Sequence, residues 1–267
     1  MSRRWSVPLA AIALVFGSVL AAAGASAATM APQVTHITAI QPGGTMVRSG
    51  APHAQVRGVG HTTVTSTNWS GYASSGANGH YTKVSGAWTE PTGTCTSGSK
   101  YSSFWVGLDG YNSGSVEQTG TDVDCSGRTP VYYGWYEMYP AFPVNFSNTV
   151  HAGDHFTASV TFSGTNTFTL VLKDTTQGWT KTETKNQSGL ARSSAECIVE
   201  APSSESGVLP LANFGTLNFT SCLANGSAIG NQSPIQIIMQ DSAGNNEDSI
   251  SALTSGENFT AKWLRST

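Results

Sequence analysis

Downstream of Asn68 the chain consists of short segments in which apolar and polar residues alternate with a period of two. Successive side chains of a β-strand point to opposite faces, so this period predicts strands that each bury one face. A sustained helical period with capping residues does not occur in the sequence. Gly, Ser, Asn and Thr separate the segments, as is typical of antiparallel structures. We therefore predict an all-β fold, an antiparallel β-sandwich of two packed sheets.

The predicted strands cover residues 69–74, 81–89, 104–109, 115–119, 131–139, 155–162, 168–172, 179–185, 194–201, 211–220, 235–240 and 258–264. The Asn78-Gly79 dipeptide lies between the first two strands and is a strong hairpin signal. Residues 174–178 predict a second turn. The sequence has neither an internal repeat nor a domain boundary after residue 62, so residues 62–267 are predicted to form one domain.

The N-terminal residues predict a secretory signal peptide at 1–27. Arg3 and Arg4 precede an apolar run over about residues 7–23, and small residues follow up to Ala27. A membrane anchor is the alternative, but the run is short for a span of roughly 20 residues. We expect a secreted protein without a membrane attachment. Residues 28–61 contain no acidic residue and little apolar pattern, which predicts a pro-segment or, alternatively, a disordered linker.

The charge of the remaining chain argues against nucleic acid as a partner. Setting aside Arg3, Arg4, Arg48 and Arg57, residues 62–267 carry all 16 acidic residues and nine of the 13 basic ones, a formal net charge of −7. Phosphate binding needs clustered Lys and Arg. Few charges also mean little self-repulsion in acid, which fits an acid-tolerant protein.

Four cysteines follow the predicted signal peptide, and an even number in an exported chain predicts disulfides. Of the three possible connectivities we predict the pairing of near neighbours, Cys95–Cys125 and Cys197–Cys222. Their spacing matches no zinc pattern and H-E-x-x-H is absent from the sequence, so we expect neither a metal nor a cofactor.

Three predicted strands each have a polar or aromatic face. The side chains on these faces are Trp105, Gly107 and Asp109; Tyr133, Trp135 and Glu137; and Glu196, Ile198 and Glu200. Gln118 lies in the short strand that follows the first of them. We interpret the faces as one floor, because a carboxyl in an apolar strand is costly to bury without a partner.

Several chemistries compete for such a floor. A serine hydrolase is disfavoured because the sequence lacks G-x-S-x-G, and the histidines His80, His151 and His155 have the surroundings of surface residues. A glycoside hydrolase could use Glu137 and Glu200 as acid and nucleophile. A carbohydrate-binding module could use the tryptophans without catalysis. On the residues alone, a glycoside hydrolase and a carbohydrate-binding module are nearly as well supported as a peptidase.

An ordered set of motifs separates them: TNWSGYA, FWVGLDG, EQTGTD, YYGWYEMYP, AECIVE and LANFGT. In this order they resemble the glutamic peptidases (eqolisins), a family of secreted acid endopeptidases, from about Asn68 to the C-terminus. The resemblance implies a lectin-like sandwich of two seven-stranded sheets and polypeptide substrates. It also implies that Gln118 and Glu200, rather than Glu196, form the catalytic dyad.

The resemblance implies a mechanism that suits acid. Glu200 would act as general base and then acid, and the amide of Gln118, which does not titrate, would stabilise the oxyanion. Supporting or substrate-binding residues are predicted at Trp105, Asp109, Asp122, Trp135 and Glu137. The chain departs from the family at Tyr133, where Asp is usual, and at Cys197, where an aromatic residue is usual. We expect a monomer.

Overall fold

The structure, a computed structural model, describes residues 62–266. The predicted signal peptide (1–27) and pro-segment or linker (28–61) lie outside the described residues and stay predictions. Within the described part of the chain, no helix is long and apolar enough to cross a membrane.

The strands, in chain order, are β1 (Thr62–Ser66), β2 (Trp69–Ser75), β3 (Lys83–Thr89), β4 (Ser99–Lys100), β5 (Ser103–Leu108), β6 (Val116–Ser126), β7 (Thr129–Tyr139), β8 (Val144–Asn145), β9 (His155–Phe162), β10 (Thr167–Asp174), β11 (Trp179–Asn186), β12 (Ser194–Glu200), β13 (Ser203–Ser204), β14 (Gly207–Val208), β15 (Thr216–Ala224), β16 (Ser227–Ala228), β17 (Ile235–Met239), β18 (Asp248–Ile250) and β19 (Phe259–Trp263). One turn of 3₁₀-helix covers Ile229–Asn231.

The strands form two large sheets, and the prediction of an all-β sandwich is confirmed. The first sheet has nine strands in the order β1-β17-β2-β12-β5-β6-β7-β8, with β4 beside β6. The second has eight in the order β11-β10-β9-β3-β15-β19-β18, with β16 beside β15. Leaving out the two-residue strands, each sheet has seven. Within the described chain, the only parallel pair of strands is β1 with β17, and β1 was not predicted.

The hairpin predicted from Asn78-Gly79 is wrong. β2 belongs to the nine-stranded sheet and β3 to the eight-stranded one, so the two are not paired. Gly79 does adopt a left-handed φ of 82°. The loop is held instead by residues far along the chain, since the backbone of Gly76 bonds to Ser193 and that of Gly79 to Ala191. By contrast, the turn predicted at residues 174–178 joins β10 and β11 as a hairpin.

Alternation along the strands places the main core between the sheets, as predicted. Phe104, Val106 and Leu108 of β5 and Cys197 of β12 face this core, which they share with residues of the second sheet such as Phe156. Burying a large apolar side chain stabilises the fold by about 1.5–3 kcal/mol. The alternate residues of the same strands face away from the second sheet.

Both predicted disulfides are confirmed. Cys197–Cys222 joins β12 to β15 and therefore ties the two sheets together. Cys95–Cys125 attaches the loop before β4 to β6. The first bond matters for the site, because β12 also carries Glu196 and Glu200 on its opposite face.

Candidate functional site

The face of the nine-stranded sheet that points away from the second sheet forms the predicted floor. Strand register arranges its residues in three rows across β2, β12, β5, β6 and β7. The rows are Trp69, Glu200, Ser103, Asp122 and Tyr133; Gly71, Ile198, Trp105, Gly120 and Trp135; and Ala73, Glu196, Gly107, Gln118 and Glu137. Since side chains alternate along each strand, all three rows share one face. The floor therefore joins Gln118, Glu137 and Glu200 on one surface.

Two glycines make room for the indole of Trp105. A Cβ at Gly107 would lie 2.8 Å from Cζ3 of Trp105, and one at Gly120 would lie 2.6 Å from its Cβ. Trp69 packs against the indole edge-on, with 4.8 Å between ring centroids. Trp105 is therefore fixed in orientation at the centre of the floor.

The carboxyl group of Glu200 is held by two donors. Trp105 Nε1 donates to Oε2 at 2.8 Å, and Asn68 Nδ2 donates to Oε1 at 3.4 Å. Asn68 is itself oriented by Ser66, whose hydroxyl donates to its Oδ1 at 2.9 Å. Donors on both oxygens favour the ionised carboxylate.

Gln118 and Glu137 are direct neighbours across β6 and β7. Gln118 Nε2 donates to Glu137 Oε2 at 2.7 Å, and both side chains are fully buried. Burial, followed by the charge of Glu200, raises the pKa of Glu137 well above its ordinary value, although the bond from Gln118 lowers it. Glu137 therefore holds a proton in acid and presents no negative charge to its neighbours.

Asp122 lies one row away and contacts the predicted residue Trp135. Trp135 Nε1 donates to Asp122 Oδ1 at 2.5 Å, and the Tyr133 hydroxyl lies 2.9 Å from Oδ2. Burial raises the pKa of Asp122 to about 7, while hydrogen bonds from Ser103, Tyr133 and Trp135 lower it. Asp122 is thus part of the floor, where Trp135 and Tyr133 hold its carboxyl group.

Asp109 does not join this group. It follows β5 with a left-handed φ of 71°. Its carboxylate accepts from the backbone N–H of Arg192 at 2.6 Å and of Ser193 at 2.8 Å. Asp109 therefore fastens the loop before β12, in keeping with the ability of Asp to tolerate this conformation.

Glu196 lies on the same face as Glu200 but in a different environment. Burial raises the pKa of Glu196 well above its ordinary value, and the charges of Asp109 and Glu117 raise it further. A carboxyl in such surroundings stays protonated, which suits a structural role better than that of a base. The contacts of the two glutamates thus favour Glu200, the residue predicted from the motif.

Sequence reasoning assigned no role to Asn68, although it stands in the first motif. Asn68 directly precedes Trp69, and Trp69 lies opposite Glu200 where β2 pairs with β12. A pairing between residues so far apart in the chain is not visible in the sequence. Within residues 62–266 no cluster of three or more His, Cys, Asp or Glu side chains could hold a metal ion.

Comparisons with known proteins agree on one family. The family model described as the Peptidase A4 family matches residues 67–263. The chain is 30% identical to Aspergillopepsin-2 of Aspergillus niger over 226 residues, which cover 74% of this chain and 78% of the relative. A scytalido-glutamic peptidase solved with a transition state analog inhibitor has a TM-score of 0.64 and 25% identity, covering 74% of this chain and 98% of its own. Aspergilloglutamic peptidase from Aspergillus niger has a TM-score of 0.54 and 25% identity, covering 62% and 99%.

Proposed function

The chain belongs to the Peptidase A4 family and is a glutamic-type peptidase, and from this premise we propose that it is a secreted acid endopeptidase whose catalytic residues are Glu200 and Gln118. The predicted signal peptide and two disulfides support secretion, because disulfides persist in oxidising compartments. Family membership decides against the glycoside hydrolase and the carbohydrate-binding module considered above.

Glu200 is the general base of the proposed reaction. With an ordinary pKa near ~4.3, a Glu is a carboxylate in mild acid, where a His would be protonated. The donors Trp105 and Asn68 hold it in that form. Glu200 takes a proton from the water as its oxygen attacks the peptide carbonyl, and returns the proton to the leaving amine.

Gln118 stabilises the negative charge that develops on the carbonyl oxygen. Its amide nitrogen carries two hydrogens, one of which is directed at Glu137. The other binds the oxyanion, and the bond to Glu137 fixes its direction. Because the amide does not titrate, this donor persists at low pH.

Glu137 has a supporting role that depends on its proton. The neutral acid accepts the hydrogen bond from Gln118 without placing a charge near the oxyanion. Once Glu137 ionises, the new negative charge would oppose the one that forms in the transition state. Loss of this proton should therefore define the alkaline limit of activity.

The observation that carries the proposal is the pair of hydrogen bonds, Trp105 to Glu200 and Gln118 to Glu137, on one face of one sheet. The test is digestion of a denatured protein at about pH 3–4 by the wild type, Gln118→Ala and Glu200→Gln. Loss of one oxyanion donor costs about 10²–10³ in rate, so Gln118→Ala should be crippled and Glu200→Gln at least as impaired. Pepstatin should not inhibit the wild type.

Glu196→Gln is the matched control, because it makes the same change on the same face of the same strand. It should keep most of the activity. The dyad assignment is wrong if Glu200→Gln digests the substrate as well as Glu196→Gln does. An inactive wild type would overturn the acid-peptidase proposal itself.

A further inference from the structure

A second carboxyl pair lies at the edge of the floor and shares one phenol. The hydroxyl oxygen of Tyr133 is 2.9 Å from Asp122 Oδ2 and 2.7 Å from Asp124 Oδ2. Asp122 is fully buried and Asp124 is 9% exposed. Asp122 and Asp124 are two residues apart on β6, so both point to the same face, and Tyr133 lies opposite Asp122 on β7.

Hydrogen-bond counting requires one proton on this pair. A phenol has one proton and can donate to only one of the two carboxyl groups. The other contact needs a proton on the carboxyl, which then donates to the phenol oxygen. Asp122 already accepts from Trp135 Nε1 at 2.5 Å. Two arrangements serve both contacts. The one with a protonated Asp124 donating to Tyr133, and Tyr133 donating to an ionised Asp122, agrees with the pKa of Asp124, which burial and then the charge of Asp122 raise well above its ordinary value.

The groups around the pair are mostly acidic. Two of the titratable side chains around it are on neighbouring strands of the floor: Glu137 on β7, and Glu200 on β12, which Ser103 separates from Asp122. The others are Glu90 in the loop before β4, Tyr101 between β4 and β5, and Lys100 on β4, opposite Cys125. Neither Asp122 nor Asp124 forms a salt bridge with any residue of the range 62–266. The two carboxyl groups are therefore bridged by the hydroxyl of Tyr133 and not by a cationic side chain.

We propose that Tyr133 is a positioning residue: its hydroxyl bridges Asp122 and Asp124, so that Asp122 loses its proton before Asp124 as the pH rises and is negatively charged beside Trp135 and Glu137 at the alkaline limit of activity. This inference rests on the proposed function of the floor. The charge of Asp122 disfavours ionisation of Glu137 and so extends the pH range in which Glu137 keeps its proton. Tyr133 thereby sets the alkaline limit of activity without touching the substrate.

The bridging residue stands at one of the two positions where the sequence departs from the family pattern. Tyr133 stands where the family that the sequence resembles usually has Asp, and here Asp124 supplies a second carboxyl to Asp122 through the phenol. Tyr133 thus contacts Asp124, which lies two residues from Asp122 along β6.

The test compares the pH dependence of kcat in Tyr133→Phe and Tyr132→Phe. Tyr132 is the matched control, because its hydroxyl also takes part in a structural hydrogen bond. It accepts from Gly93 N at 3.0 Å, so its partner is a backbone amide and not a carboxylate. Without the phenol proton Asp122 stays neutral up to a higher pH, and Glu137 then ionises more easily. The alkaline limb of Tyr133→Phe should move down by about half a pH unit or more, with KM little changed, while that of Tyr132→Phe stays in place.

Asp124 offers a test by isosteric rescue. The amide of Asp124→Asn can donate to the phenol oxygen as the protonated acid does, so its alkaline limb should stay close to that of the wild type. Asp124→Ala removes the donor and should shift the limb. Equal shifts in the Asn and Ala variants would overturn the hydrogen-bond direction assigned here.

A measurement independent of activity separates this inference from the proposed function. Carbon-13 NMR of Asp carboxyl groups should show Asp122 among the buried Asp residues that titrate above the ordinary range, and its midpoint should move upward in Tyr133→Phe but not in Tyr132→Phe. If the wild type is an active acid peptidase and neither this midpoint nor the pH limb moves in Tyr133→Phe, the inference is wrong. An inactive wild type with the expected NMR shift would refute the function and leave the bridge standing.

Discussion

Replacing Trp105 with Phe removes the shorter of the two donors to Glu200, which the indole N–H reaches at 2.8 Å inside the fully buried floor. A hydrogen bond to a charged group contributes about 1.5–3 kcal/mol. One pH unit corresponds to about 1.36 kcal/mol. Losing this donor favours the protonated form of Glu200, and the acid limb of kcat/KM should therefore move to higher pH by about 1–2 units.

Trp69→Phe is the control for this variant. Trp69 is also fully buried and packs against Trp105, and its indole N–H has no hydrogen-bond partner among the described residues. It loses the same volume from the same cluster without losing a bond to a carboxylate. The measurement compares its activity with that of Trp105→Phe on one peptide over about pH 2–7.

The two variants distinguish electrostatics from packing. If packing alone mattered, both would lose activity at every pH with an unchanged profile. We expect a displaced acid limb in Trp105→Phe only. Equal displacement in both, or a change confined to KM, would refute the inference that Trp105 keeps Glu200 ionised.

Two further predictions concern the fold. Burial is the main cause that raises the pKa of Asp248 to about 7 and of Glu117 to about 9. The folded chain therefore binds more protons than the unfolded one. The stabilisation that these two protons give is complete below pH ~4 and is lost as the pH rises through about 7 to 9. The midpoint of thermal unfolding should decrease when the pH is raised from acid to 8, and it should decrease less in Glu117→Gln than in the wild type. A midpoint that increases instead would contradict these directions. Gly120→Ala should lower the free energy of unfolding in urea by about 3 kcal/mol, because its Cβ would overlap the carbonyl oxygen of Phe104. Gly114→Ala, whose Cβ meets open space, should change it by less than about 0.5 kcal/mol, and equal losses would exclude the overlap as the cause.

The local part of the fold was predictable from the sequence because it depends on a period of two. Alternation assigned Phe104 to the core and Trp105 to the opposite face, and both assignments agree with the structure. The pairing of β2 with β3 was mispredicted for the opposite reason. Asn78-Gly79 describes a turn, but which strands become neighbours depends on contacts between distant parts of the chain.

The site divides in the same way. The motifs named Gln118 and Glu200, but register placed Glu137 against Gln118 and brought Asn68 to Glu200. Asp109 has the alternation expected of a floor residue, yet its carboxylate is taken by the loop before β12. Hydrogen bonds of this kind require atoms to be brought within about 3 Å, and no local pattern encodes that distance.

The sequence by itself determined which residues alternate, which cysteines were available to pair as near neighbours, and which motifs occur in order. Only the tertiary structure decided the neighbours, because β12 inserts between β2 and β5 from about a hundred residues further along the chain. That insertion places Glu200 beside Trp105. It is a long-range pairing, chosen by the packing of both sheets rather than by any segment alone.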